Sequence, residues 1–147
     1  MMPPALFALM LGAFAIGTTE FVIVGLLPTI AADLGITLPS AGLAVSLYAL
    51  SVALSAPLLT AATARWPRKN VLLMLMAVFV LGNLLAWQAT SFATLLIARI
   101  VTGLAHGVFF SIGATIATQL VPKEKAARAI AMMFTGVTVA LVTGVPL

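Results

Sequence analysis

Glu20, Arg99 and His106 are the residues of this chain whose types and surroundings point to chemistry, because each is ionisable and each falls inside a long apolar run. At membrane depth such a residue costs at least about 2.5–3.5 kcal/mol on insertion scales and is retained for a reason. Burial and an adjacent cation act in opposite senses on the proton affinity of a carboxylate. A ligand or a conformational change that alters either influence therefore drives proton uptake or release at Glu20. His106 follows Arg99 by seven positions and shares nearly the same helix face, with Thr102 between them. Arg99, Thr102 and His106 make one polar edge, and the Gly103-xxx-Gly107 spacing beside it allows close helix approach. Tyr48, Ser51 and Ser55 form a weaker polar edge on another run.

Each of these residues also has a structural reading. Glu20 can cap a neighbouring helix end. Arg99 can knit a carboxylate and backbone carbonyls together. His106, Thr102, Tyr48 and the two serines can act as hydrogen-bonding glue between helices or as lining of a substrate cavity. Gly103 and Gly107 are most simply packing residues. Asp33 reads as a solvated helix end.

Enzyme chemistry finds no foothold. The sequence contains no P-loop, no Gly-x-Ser-x-Gly, no His-Glu-x-x-His and no acidic metal cluster. With no cysteine, it has neither a disulfide framework nor thiolate metal sites. The expectation is a protein that is not an enzyme and uses no cofactor.

The elements that hold these residues are apolar helices. Charged residues make up 7% of the chain and hydrophobic residues 63%, whereas a soluble domain is about 25% charged. Too little charge is present to coat a water-facing surface, so the lipid bilayer is the expected solvent. A hydrocarbon core of about 30 Å is crossed by roughly 20 apolar residues in a helix. Such runs extend over about residues 5–30, 40–64, 71–88, 93–121 and 126–147. Gly35 suits a C-terminal cap of the first run. Thr37 or Ser40 can cap the second, with Pro39 in its first turn. Thr90 or Ser91 can cap the fourth, and Pro57 is expected to bend the second. The expected fold is an all-α polytopic bundle. Its fifth helix is still running at Leu147, so the chain is expected to be part of a longer protein.

Charge placement sets an orientation. Arg65, Arg68 and Lys69 lie between the second and third runs, and Lys123, Lys125 and Arg128 between the fourth and fifth. The other two connections carry no Lys or Arg. Cationic loops are retained in the cytoplasm, which predicts an N-terminus inside. These two short clusters make no basic stripe, so nucleic acid is not an expected partner. In this topology Glu20 and Arg99 both lie about 5–12 Å to the outer side of the bilayer midplane at 1.5 Å per residue. If the first and fourth helices are neighbours, an ion pair or a water-mediated contact joins them.

Several stretches resemble one family. Gly17-Thr18-Thr19-Glu20-Phe21, Gly25-Leu26-Leu27-Pro28 and Ile30-Ala31-Ala32-Asp33-Leu34-Gly35 are similar to helix one of the arabinose-efflux-permease-like drug:proton antiporters of the major facilitator superfamily. The loop after helix two, read there as Gly-x-Leu-Ala-Asp-Arg-x-Gly-Arg-Lys, is matched by Arg65, Arg68 and Lys69. Thr60, Ala64 and Pro67 replace its two glycines and its aspartate. Leu95, Arg99 and Gly103 resemble Leu-x-x-x-Arg-x-x-Gln-Gly of helix four, with Thr102 at the Gln position. Gly136, Gly144 and Pro146 resemble the start of the antiporter motif on helix five.

The resemblance implies twelve helices in two six-helix halves, each built of inverted three-helix repeats. This chain would be an incomplete N-terminal half, and its partner the missing C-terminal half of the same protein. It implies proton-coupled efflux of small organic solutes such as sugars or drugs, in the bacterial inner membrane. Glu20 and Arg99 would couple protons, and helices one and four would line the central cavity. His106, Thr102 and Tyr48 would be cavity candidates, and Arg65, Arg68 and Lys69 a gating loop. The alternatives are a small multidrug exporter of the four-helix kind, which also carries a glutamate in its first helix, and a membrane scaffold without transport.

Overall fold

The computed structural model describes residues 3–144. It contains α1 (Pro4–Asp33), α2 (Leu38–Ala62), α3 (Arg68–Trp87), α4 (Phe92–Gln119) and α5 (Ala126–Gly144), with one 3₁₀ turn at Lys123–Lys125 before α5. No strand occurs among the described residues. All five helices are long and apolar enough to cross a membrane by length and composition. The chain is a multi-pass membrane protein. Pro146 and Leu147, at the end of the expected fifth run, lie outside the described residues.

Local chemistry explains where the helices stop and start. After α1 the chain reverses at Gly35, whose φ of 62° is the left-handed conformation that glycine adopts at least cost. The Ile36 N–H donates to the Ala31 carbonyl at 2.9 Å and the Gly35 N–H to the Ala32 carbonyl at 3.2 Å. This is the six-to-one, five-to-two pattern of a Schellman cap. Thr37 caps α2 by accepting from the Ser40 N–H at 3.3 Å. Ser91 caps α4 by accepting from the Thr94 N–H at 3.2 Å. α2 carries Pro57 inside it and remains one helix.

The start of α3 differs from the sequence expectation. The helix begins at Arg68, three residues before the expected 71, so Arg68 and Lys69 belong to its first turn and only Arg65 lies in the connecting turn. Proline at 67 fixes φ near the helical value and opens the helix there. The polar side chains that suggested a loop simply project from helical backbone.

Burial on these helices runs opposite to a soluble bundle. On α2 the buried residues are Ala41, Ala44, Tyr48, Ser51 and Ser55, while Leu43, Leu50, Leu54 and Leu58 are exposed. Hydroxyls and small side chains face inward and leucines face out, as expected when hydrocarbon is the solvent and helices associate by close packing. On α3, Leu73, Val80, Leu81 and Leu84 are exposed in the same way. Trp66 and Trp87 flank α3 at its two ends, and both are exposed. Twenty helical residues rise about 30 Å, the thickness of the hydrocarbon core, so the two indoles suit the two interfacial belts.

The chain divides into two compact units, Met1–Val22 with Phe110–Leu147, and Ile23–Phe109. In the first, α1, the end of α4 and α5 meet at glycines. A Cβ on Gly136 would run into the Met10 carbonyl oxygen and lie 2.8 Å from the Phe14 nitrogen. One on Gly17 would lie 3.1 Å from the Ala140 Cβ, and one on Gly113 would lie 3.0 Å from the Met133 Sδ. The Phe110 and Phe134 rings, 5.1 Å between centroids, close the same unit. In the second unit α4 is held on two sides. A Cβ on Gly82 of α3 would lie 2.6 Å from the Thr102 Cγ2. A Cβ on Gly103 would lie 2.8 Å from the Tyr48 carbonyl oxygen, and one on Gly107 would meet the Ser55 hydroxyl and the Val52 carbonyl oxygen.

Candidate functional site

The second unit assembles a polar cluster on α2 and α4. The close approach at Gly103 and Gly107 brings α2 near enough for its tyrosine to reach between two polar residues of α4. Arg99 is 3% exposed and Tyr48 is 2% exposed. The guanidinium carbon of Arg99 lies 4.0 Å from the centroid of the Tyr48 ring, over its face. The Arg99 Nε–H also donates to the Ala44 carbonyl at 3.4 Å, a long hydrogen bond from the preceding turn of α2. A desolvated cation–π pair of this kind is worth about 2 kcal/mol or more, comparable with the insertion cost of the charge.

The far end of the same tyrosine holds His106. The Tyr48 hydroxyl and His106 Nδ1 are 2.8 Å apart. Their rings meet edge to face, with centroids 5.6 Å apart and planes at 65°. Arg99, Tyr48 and His106 therefore form one continuous array. Thr102, which shares the Arg99–His106 edge of α4, turns its hydroxyl back onto its own helix, donating to the Ala98 carbonyl at 3.0 Å or the Arg99 carbonyl at 3.1 Å. Ser51 and Ser55 do the same on α2, donating to Leu47 and Val52 carbonyls at 2.7 and 3.2 Å.

The remaining sequence candidates are placed as follows. Glu20 lies on α1 within the first unit, half-buried, a turn beyond Gly17. The adjoining Thr18 hydroxyl donates back to the Phe14 carbonyl at 2.9 Å. Arg65 and Lys69 are exposed and Arg68 is half-buried at the start of α3. Among the described residues no group of three His, Cys, Asp or Glu side chains is placed to hold a metal ion.

Two features escaped the sequence reading. The first is the use of the Tyr48 ring face as a seat for Arg99, where only its hydroxyl had suggested a role. The second is Asn83, an amide at membrane depth in α3 whose Nδ2 donates to the Phe79 carbonyl at 2.8 Å. For Tyr48 a signal existed. From the start of each helix, Arg99 lies about 10 Å along α4, His106 about 21 Å along α4, and Tyr48 about 15 Å along α2. A tyrosine halfway between them on a parallel helix is placed to touch both.

Comparison with known proteins adds a lineage. The family model for the Major Facilitator Superfamily matches residues 9–147. The chain is 57% identical, over 97% of its own length, to the uncharacterized MFS-type transporter YtbD of Bacillus subtilis (strain 168), and covers 36% of that protein. It is 48% identical over 96% of its length to the inner membrane transport protein YdhP of Escherichia coli (strain K12), again covering 36%. It is 40% identical over 99% of its length to the chloramphenicol resistance protein of Streptomyces lividans, covering 37%. The chain thus spans little more than a third of the length of the curated relatives it matches.

Proposed function

The chain belongs to the major facilitator superfamily, and on that premise we propose that it forms part of a proton-coupled exporter of small organic solutes. The exporter works by alternating access in the bacterial inner membrane, with its N-terminus in the cytoplasm. The rest of the protein supplies a second six-helix half, and substrate passes between the halves. Glu20 is the protonatable group, loading a proton from one side of the bilayer and releasing it to the other while solute moves the opposite way. Arg99 modulates that exchange as the buried cation of α4. His106, half-buried, is a cavity-lining candidate beside Arg99, on the edge of α4 that changes with the proton-coupled step. Arg65, Arg68 and Lys69 act at the cytoplasmic gate, where Arg68 Nη1 is buried without a hydrogen-bond partner and so suits an acceptor supplied from elsewhere.

The observation that carries this reading is the Arg99–Tyr48–His106 array at membrane depth, in a chain whose α1 holds a carboxylate inside its span. Maintaining such groups in hydrocarbon without a function is costly. The name of the Streptomyces relative supports a drug-like solute. The test is Glu20→Gln in the intact gene product, reconstituted in proteoliposomes under an imposed pH gradient. Solute movement driven by the gradient should be lost, while solute exchange at equal pH persists. Undiminished gradient-driven transport removes Glu20 from the role.

A further inference from the structure

We propose that Tyr48 is a positioning residue that ties Arg99 and His106 into a single unit, with its ring face seating the guanidinium and its hydroxyl fixing the imidazole tautomer. The inference deepens the exporter reading and rests on it only where transport is measured.

Tyr48 is buried against α4. It is 2% exposed, and its two functional surfaces are both engaged by α4. The guanidinium sits 4.0 Å over the ring. A cation on that face withdraws electron density and makes the phenol O–H a better donor. The hydroxyl then donates to His106 Nδ1 across the 2.8 Å separation, which leaves the imidazole proton on Nε2. The two α4 residues are seven positions apart, about 10 Å along the helix, too far to touch directly through short bonds. One aromatic side chain spans them. Any displacement of Arg99, by a moving helix or a change in the charge it faces, is passed to the imidazole through a rigid ring. The backbone beneath is equally constrained. A Cβ on Gly103 would come 2.8 Å from the Tyr48 carbonyl oxygen and 3.4 Å from its Cα, so the tyrosine is seated directly on the α4 glycine.

The test uses Tyr48→Phe, which keeps the ring under Arg99 and removes only the hydroxyl. The intact gene product is labelled with ¹⁵N-histidine and reconstituted in lipid, and the His106 signals are assigned by their loss in His106→Gln. Wild type should show the Nε2–H tautomer, its unprotonated Nδ1 in the deshielded range of a pyridine-type nitrogen and drawn partly upfield by the phenol hydrogen bond. In Tyr48→Phe the Nδ1 resonance should move downfield as its hydrogen bond is lost. In transport, Tyr48→Phe should lower the maximal rate about five- to tenfold, the equivalent of one buried hydrogen bond, with KM unchanged. A residue that touches solute would instead raise KM with the maximal rate intact, and that outcome overturns the proposal. An unmoved Nδ1 resonance also overturns it.

A second pair of variants stands if Tyr48→Phe fails to fold. His106→Gln retains a carbonyl that can accept the phenol proton, and it should keep a higher maximal rate than His106→Leu. Equal rates for the two refute the positioning role. The two readings fail separately: undiminished gradient-driven transport in Glu20→Gln would end the proton assignment, yet leave the histidine resonances as predicted here.

Discussion

Gly136→Ala is the sharpest test of how the first unit is packed. The added Cβ would run into the Met10 carbonyl oxygen and lie 2.8 Å from the Phe14 nitrogen and 3.0 Å from the Met10 carbonyl carbon. Comfortable contact for such pairs is about 3.5 Å, so α5 must retreat from α1 by on the order of 1 Å. A gap of that size forfeits a quarter to a half of each neighbouring van der Waals well, and overpacking of this kind costs about 1–3 kcal/mol. The substitution also gains helix propensity, about 1 kcal/mol in a helix interior. Gly42→Ala on α2 gains the same propensity, and its Cβ meets nothing within 4 Å. The difference between the two variants therefore isolates the clash. In a reversible unfolding titration of the intact gene product in mixed micelles, followed by circular dichroism, Gly136→Ala should be less stable than Gly42→Ala by about 1–3 kcal/mol. Adding Met10→Ala should restore nothing, because the obstruction is main chain. Equal stability of the two glycine variants, within the scatter of neutral substitutions of about 0.5 kcal/mol, would refute this packing.

The remaining predictions concern the second unit, the cap and the topology. Gly107→Ala places a Cβ 2.5 Å from the Val52 carbonyl oxygen, so the same titration should show a loss of about 1–3 kcal/mol, not rescued by Ser55→Ala. Arg99→Lys keeps the charge and discards the flat group that lies on Tyr48; maximal transport should fall by about tenfold at normal expression, a cation–π loss of about 1.4 kcal/mol. Gly35→Ala forces a side chain into φ 62° and should cost about 1–2 kcal/mol, read by unfolding. Single cysteines at Arg68 and Lys123, in a background without other cysteines, should react with an impermeant reagent from the same side of the bilayer.

The parts of this structure that were legible in the sequence are those governed by local rules. Solvent preference made the five helices visible. Gly35, Thr37 and Ser91 announced their caps because a cap is a relation between residues three or four apart. α3 starts three residues before the apolar run because Arg68 and Lys69, polar enough to read as loop, follow Pro67, which opens the helix. The polar cluster was legible only in part. Arg99 and His106 stand out by charge on one face of one helix, but the residue joining them comes from α2. Its ring face is invisible to any reading that treats tyrosine as a hydroxyl with an apolar body. Knowing which helices adjoin is what turned Tyr48 from one weak polar position into the link between two strong ones.

The same distinction governs how a motif is interpreted. Gly136 belongs to a stretch that resembles the antiporter motif of helix five, which invites a coupling role. Its position supplies a sufficient steric reason: the Met10 carbonyl occupies the space a side chain would need. Gly113 is the instructive contrast. Its Cβ would meet the Met133 Sδ at 3.0 Å, the far part of a flexible side chain that can move aside. Gly113→Ala should therefore cost less than Gly136→Ala, although both glycines lie in the same unit. Loss of transport in a Gly136 variant consequently bears on coupling only when stability has been measured alongside. A variant that lost transport while unfolding at the wild-type midpoint would assign Gly136 a role beyond packing.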